Sequence, residues 1–419
     1  MKIRSSIHTL PFAPGASLAG PLQRYIAEQE PVLRWGLIGH THRSVQLEIS
    51  HIEGSARQAP CIGWAQPARR HPAQARKIAA LVVPTGVGAA IGGFIGDAGP
   101  VARVLESVLD CLLVHPNVVN AGSFYGGGPR STYVDGLTLD RFFAGATGIA
   151  TRRGGRIGVI LDAFGPGDTC AILNTVNGLA SVHGAQFTGY YRCKEKIVSS
   201  IQRSDYGHFS GQVENPDEFL EAALAMKHAG ADAITIVTAI GGYSEQDIAA
   251  HYHGSPINPV GALEALISRA VTWHTDLPCA HAPHYEGGLG QAHDVIDPRA
   301  AAEVASRTGL PCLIHGLTQC GVAADGEATH VSDLAAIILP AGCAGGMPTL
   351  GATRAGVAVI AVHGNRCHVG VPAEVLGAPD IRHAATYAEA LAMLCCMQAG
   401  VGWQAFCGST KPVPELAIH

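Results

Sequence analysis

The feature that most constrains how this chain can fold is the stretch from residue 78 to residue 120, IAALVVPTGVGAAIGGFIGDAGPVARVLESVLDCLLVHPNVVN. Residues 78–84 are a solid apolar run, too short to span a membrane and suited to a strand buried on both faces. Gly86, Gly88, Gly92, Gly93 and Gly96 then crowd into a loop. Val101, Leu105, Val108 and Leu112 recur at helical spacing, and residues 111–114 read as a second strand that ends at His115. A strand–loop–helix–strand unit puts its loop and His115 at the carboxyl ends of parallel strands. That edge is where open α/β sheets bind ligands.

The rest of the chain extends the pattern. Residues 156–162, 232–240, 277–280, 311–314, 334–340 and 357–362 read as further strands, and residues 169–182, 216–229 and 259–272 as helices between them. We expect an α/β protein with doubly wound, mostly parallel sheets in two lobes around a cleft. A small α+β unit precedes them, with strands at 3–8 and 45–52 and a helix at 18–28. The expected domains are residues 1–75, 76–255 and 256–419, with a Pro-, Ala- and Arg-rich linker at 58–76.

Composition excludes several classes. A net charge of −5 without a long basic block offers nucleic acid nothing to hold. No run of 18 or more apolar residues is present, which excludes a membrane helix, and the first sixteen residues lack the apolar core of a signal peptide. Hydrophobic residues make up 47% and charged residues 15% of the chain, so surface is expected to be buried between copies in a homo-oligomer. The twelve cysteines follow no disulfide framework and read as thiols of a cytoplasmic protein.

The residues at the carboxyl end of each strand mark the candidate site: Thr85 and Gly86 after the first, His115 after the second, Asp162, His281, His315, Cys343 and His363 after others. The loop with Gly86, Gly88, Gly92 and Gly93 either cradles an anion with its backbone amides or lets strand and helix pack closely. The loop with Cys343, Gly345, Gly346 and Thr349 repeats that chemistry and adds a thiol, which is either activated at a helix start or inert and buried. Asn117 and Asn120 suit a carboxylate or an amide. The run CAHAPHYE, residues 279–286, is the densest reactive cluster. Cys279 and His281 share a face of an extended segment, Glu264 is a candidate partner for His281, and His281 with His284 could hold zinc or iron. No acidic residue stands cleanly where a ribose would be gripped, about 20 residues past the glycine loop, which disfavours NAD.

Five blocks carry a resemblance: VPTGVGAAIGGFIGDAGPVAR with VHPNVVN, ILDA, NPVGALEALIS, PCAHAP and GCAGGMPTLGATRAGVAVIAV. Across residues 78–365 the chain resembles a family known only as a domain of unknown function, from bacteria and photosynthetic organisms. The resemblance implies that His115, Asn117, Cys279 and His281 lie in recurring motifs and that His284 departs from them.

The expected function is an enzyme acting on a small polar or anionic metabolite. His281 and His115 would serve as acid and base, with Glu264 in support and Cys279 or Cys343 as a candidate nucleophile, in C–N hydrolysis or a lyase or isomerase step. Two alternatives stand beside it: a zinc or iron hydrolase built on His281 and His284, and a non-catalytic nucleotide or metabolite sensor.

Overall fold

A strand that is apolar on both faces must be covered on both, and a parallel sheet flanked by helices provides this. The computed structural model of the chain describes all residues except 14, 30, 58, 67–76, 95, 120–127, 152–153, 206, 285–294, 305–308, 325–327 and 413–419. Asn120 and most of the expected linker lie outside the described residues. The strands, in order, are β1 (Lys2–Pro11), β2 (Val32–His40), β3 (Ser44–Glu53), β4 (Ile78–Leu81), β5 (Cys111–Val114), β6 (Ser131–Tyr133), β7 (Gly148–Thr151), β8 (Arg156–Leu161) and β9 (Gln186–Arg192). They continue as β10 (Ser199–Arg203), β11 (Phe209–Val213), β12 (Ala233–Ala239), β13 (Cys279–His284), β14 (Gly321–Ala324), β15 (Ala336–Pro340), β16 (Ala358–Val362) and β17 (Ile381–Ala384).

Two of the sheets are wholly parallel, and the fold is α/β. One runs β17-β16-β15-β4-β5-β6 and the other β13-β12-β8-β9. In the first, β4 leads outward to β5 and β6, while β15 leads the opposite way to β16 and β17. The chain order therefore reverses between β15 and β4. At such a point the connecting segments diverge to opposite faces and leave a crevice at the carboxyl edge.

A third, antiparallel sheet, β10-β11-β1-β3-β2, covers that crevice. Its edge strand β2 docks on the second glycine loop, where Leu37 N–H donates to the Gly345 carbonyl at 2.8 Å. A Cβ on Gly345 would lie 2.6 Å from Leu37 Cβ, so only a glycine admits this approach. The N-terminal strands are thus completed by β10 and β11. The sheets also cross the expected boundary at residue 255, since β12 and β13 on either side of it are paired neighbours.

The helix Gly261–Thr275 is the pivot of the assembly. It packs on β13, β11 and β2 together, and Trp273 is fully buried with its indole N–H on the Ala59 carbonyl at 3.0 Å. One strand is corrected: residues 311–314 form no strand, and His315 lies in the helix Gly309–Thr318. A four-residue apolar run carries no period that separates a buried helix turn from a buried strand.

Asp162, 1% exposed, ties the strand ends of the second parallel sheet together. Its carboxylate accepts the backbone amides of Ala163 (2.8 Å), Ile197 (2.9 Å) and Ala239 (3.1 Å). Replacing it by alanine strands three backbone donors, two of them in buried bonds, which should cost about 3 kcal/mol. Urea unfolding of Asp162→Ala against wild type measures this, and an unchanged midpoint would remove the tie from the account.

Candidate functional site

The crevice between β15 and β4 widens into a cavity of about 170 Å³. An engineered apolar cavity of about 150 Å³ takes up benzene, so the space suits a molecule of a few heavy atoms or somewhat more. Thr85, Gly86 and Gly93 come to it from the first glycine loop, His115 and Asn117 from the end of β5, and Cys343, Gly345 and Gly346 from the second loop. His281 enters from β13 and Glu264 from the Gly261–Thr275 helix. Turns far apart in sequence therefore meet around one hollow.

Within it, His281 is 4% exposed. Its Nδ1 lies 3.2 Å from Glu264 Oε2 and its Nε2 2.8 Å from Thr238 Oγ1. A carboxylate at one ring nitrogen selects the tautomer with the proton there and leaves the other nitrogen basic. Thr238 is 1% exposed and does not line the cavity, so its hydroxyl steadies the ring.

His115 has a different setting. Its Nε2 accepts the Val83 amide at 3.0 Å, so in the neutral ring Nδ1 carries the proton. Burial first, and the charge of Arg269 second, lower its pKa from 6.5 to about 3. His115 is a neutral donor that also ties β5 to the end of β4. Asn117 is committed in the same way, its Nδ2 shared among the carbonyls of Val83 (2.9 Å), Pro84 (3.4 Å) and Gly92 (2.6 Å). The donor expected to reach a carboxylate instead holds the glycine loop.

That loop turns much of its backbone inward. The amides of Ala90, Ile91 and Gly92 donate to Arg366 O, Asn365 Oδ1 and Asp97 Oδ1 respectively. Gly92 has φ +86°, and a Cβ there would lie 2.7 Å from Val83 Cγ1. At this position the glycine serves close packing. Gly88, Gly92 and Thr349 do not line the cavity.

Neither candidate thiol is activated. Cys343 lines the cavity, but burial pushes its thiol well above the usual value, with Cys367 adding to the shift. Cys279 lies behind the wall, and burial, then Asp135, push it up likewise. His281 and His284 do not form a pair. Three residues apart on an extended strand, they point to opposite faces, and His284 packs on Phe164 and faces Asp168 at 3.0 Å. Among the described residues no group of three or more His, Cys, Asp or Glu side chains could hold a metal ion. His315 and His363 lie away from the cavity, His363 against His383 at 3.0 Å.

Six charged or titratable cavity residues were not foreseen: Arg34, Glu48, Tyr133, Asp140, His208 and Arg269. Arg269 pairs with Asp140, whose carboxyl burial pushes up despite that partner. Arg34 Nη2 donates to Thr85 O at 2.9 Å, while its Nη1 stands 3.8 Å from Glu48 Oε2. Glu48, 2% exposed, receives His208 Nε2 at 3.0 Å. Burial alone would raise the Glu48 carboxyl, yet Arg34 and His208 outweigh it and hold the group below its ordinary value. Arg34 Nη1 and Glu48 Oε1 have no hydrogen-bond partner. Leaving such an atom buried and unmet costs about 1–3 kcal/mol. Glu48 alternates with the apolar Val45, Leu47 and Ile49 of β3 and so reads as solvent-facing. No sequence signal marks it: the second face of the antiparallel sheet is covered, and Ser50 on that face is also fully buried.

A family model described as "Protein of unknown function (DUF3326)" matches residues 78–407. The chain is similar to an "uncharacterized lipoprotein" of Synechococcus sp., 32% identical over 331 residues that cover 77% of this chain and 90% of that protein. No solved structure matches. Among the described residues no helix is long and apolar enough to cross a membrane.

The neutral His115 ring gives a pH signature. The unfolded chain takes up a proton near pH 6.5 that the folded ring refuses until about 3. Its contribution is therefore present above pH 6.5 and drains as pH falls, by about 1.4 kcal/mol per pH unit. Denaturant unfolding at pH 7 and pH 5 should show a shallower loss for His115→Gln than for wild type, and equal slopes would mean that His115 is protonated in the fold.

Proposed function

This chain belongs to the family described as Protein of unknown function (DUF3326), and on that footing we propose that it is an enzyme acting on a small polar or anionic metabolite by acid–base chemistry. The observation that carries the reading is the Glu264–His281 pair set in the wall of a cavity sized for a metabolite. Glu264 orients the ring through Nδ1 and stabilises the imidazolium as it forms. Nε2 is the working nitrogen. A substrate or water proton competes for it with the Thr238 hydroxyl, and such contacts tighten in the substrate complex.

C–N bond hydrolysis is the step these groups suit best. His281 takes a proton from water as its oxygen adds to the carbonyl carbon, and returns that proton to the nitrogen as the C–N bond breaks. The oxygen that becomes negative in between is stabilised by a nearby donor, and Arg269, His115 and the start of the helix Met347–Ala355 all line the cavity. A thiol has no part in this scheme. A second reading, a non-catalytic metabolite binder, draws on the fact that both His281 nitrogens already have partners.

The test is ammonia or amine release from a panel of small amides and ureides, with wild type beside His281→Gln. The substitution should lower turnover by about 10²–10⁴-fold, the usual contribution of a positioned acid–base group, with the unfolding midpoint retained. Undiminished turnover would exclude His281 as the base. Ligands that bind and are recovered intact from wild type would favour the binder.

A further inference from the structure

Arg34 and Glu48 both lie before residue 78, where the family match begins, yet both face the cavity. They reach it from neighbouring antiparallel strands. Arg34 pairs with Ser50 in the β2–β3 register and Gly36 with Glu48, so Arg34 and Glu48 are diagonal neighbours on one sheet face. Gly36, opposite Glu48, places no side chain between that carboxylate and the space beside it.

Each of the two uses one of its polar atoms on the protein and leaves another unmet. Arg34 spends Nη2 on the Thr85 carbonyl and leaves Nη1; Glu48 spends Oε2 on His208 and leaves Oε1. The two groups do not satisfy each other, because 3.8 Å from Nη1 to Oε2 is beyond hydrogen-bond reach. Both side chains line the cavity while these two atoms are themselves covered, so its wall holds an unmet donor next to an unmet acceptor that a small side-chain shift would bring to a ligand. Such a pair selects by charge as well as by position. A carboxylate would meet Arg34 but be repelled by Glu48, and an ammonium the reverse. A neutral group with a carbonyl oxygen beside an N–H answers both.

We propose that Arg34 and Glu48 form a recognition subsite for the amide edge of the ligand, C=O on Arg34 Nη1 and N–H on Glu48 Oε1, so that the N-terminal sheet selects amides, lactams or ureides. This rests on reading the cavity as a small-molecule site and adds the class of molecule. The subsite reads the edge of a carbonyl–nitrogen unit and takes no part in bond breaking.

The test uses the full chain and three five-membered rings of nearly equal size: 2-pyrrolidinone with C=O and N–H, cyclopentanone with C=O alone, and pyrrolidine with nitrogen alone. Titration followed by ligand-observed NMR should show 2-pyrrolidinone binding at least tenfold tighter than either of the others. Arg34→Met should abolish that preference. In Glu48→Gln the oxygen stays on His208 and an NH₂ replaces the open acceptor, so the subsite becomes two donors. That variant should lose the lactam preference and bind cyclopentanecarboxylate at least tenfold better than wild type does. Equal binding of the three rings to wild type, or a lactam preference that survives both substitutions, overturns the proposal; a single water or hydroxyl bridging the two atoms would give the first result. Because the ring comparison needs no turnover, its failure alongside activity that still depends on His281 would sink this subsite and leave the enzymatic reading in place.

Discussion

A parallel sheet whose chain order reverses cannot be covered continuously at its carboxyl edge, and the rest of this molecule is arranged around that fact. Between β15 and β4 the two connecting segments leave in opposite directions. Both are glycine-rich, so backbone can be brought close where side chains would block it. The gap is closed from outside by β2, whose Leu37 amide donates to Gly345. Three sheets and the helix Gly261–Thr275 meet there, and what would otherwise be an open cleft becomes a small chamber.

A chamber at such a junction fills with polar groups that can survive burial only in company. Arg269 is matched by Asp140, His281 by Glu264, and Glu48 by His208 with Arg34 nearby. His115 solves the same problem differently: it stays neutral and accepts a backbone amide. Where the matching stops short, at Arg34 Nη1 and Glu48 Oε1, the unmet atoms belong to side chains that line the space a ligand would fill. Pairing and its local incompleteness thus separate the groups that hold the chamber together from those that can recognise something inside it.

Much of this was legible from local pattern. Apolar runs without alternation marked most of the parallel strands, though not β6, β9 or β17, and the turns at their carboxyl ends pointed to Thr85, Gly86, His115, Cys343 and His281. Glu264 could be set beside His281 because its helix immediately precedes β13. Other readings failed for definite reasons. His315 comes after an apolar run too short to show a period, and it proved helical. His284 shares a motif with His281, yet the two-residue repeat of a strand turns it to the other face. Asn117 has the right chemistry for an anion, but the carbonyls of the neighbouring glycine loop take its amide protons.

The sequence by itself determined the α/β class, seven of the ten parallel strands (not β6, β9 or β17) and the turns that carry reactive groups. Those features arise from periodicity and backbone freedom within a few residues. Only the tertiary structure decided that β1 to β3 would roof the crevice and that Arg34 and Glu48 would line it. Pairing between β1 and β11 joins positions some two hundred residues apart, as in Ile3 with Val213. A polar residue alternating with apolar ones looks the same whether its face meets water or a buried chamber, and that choice belongs to the packing of whole sheets.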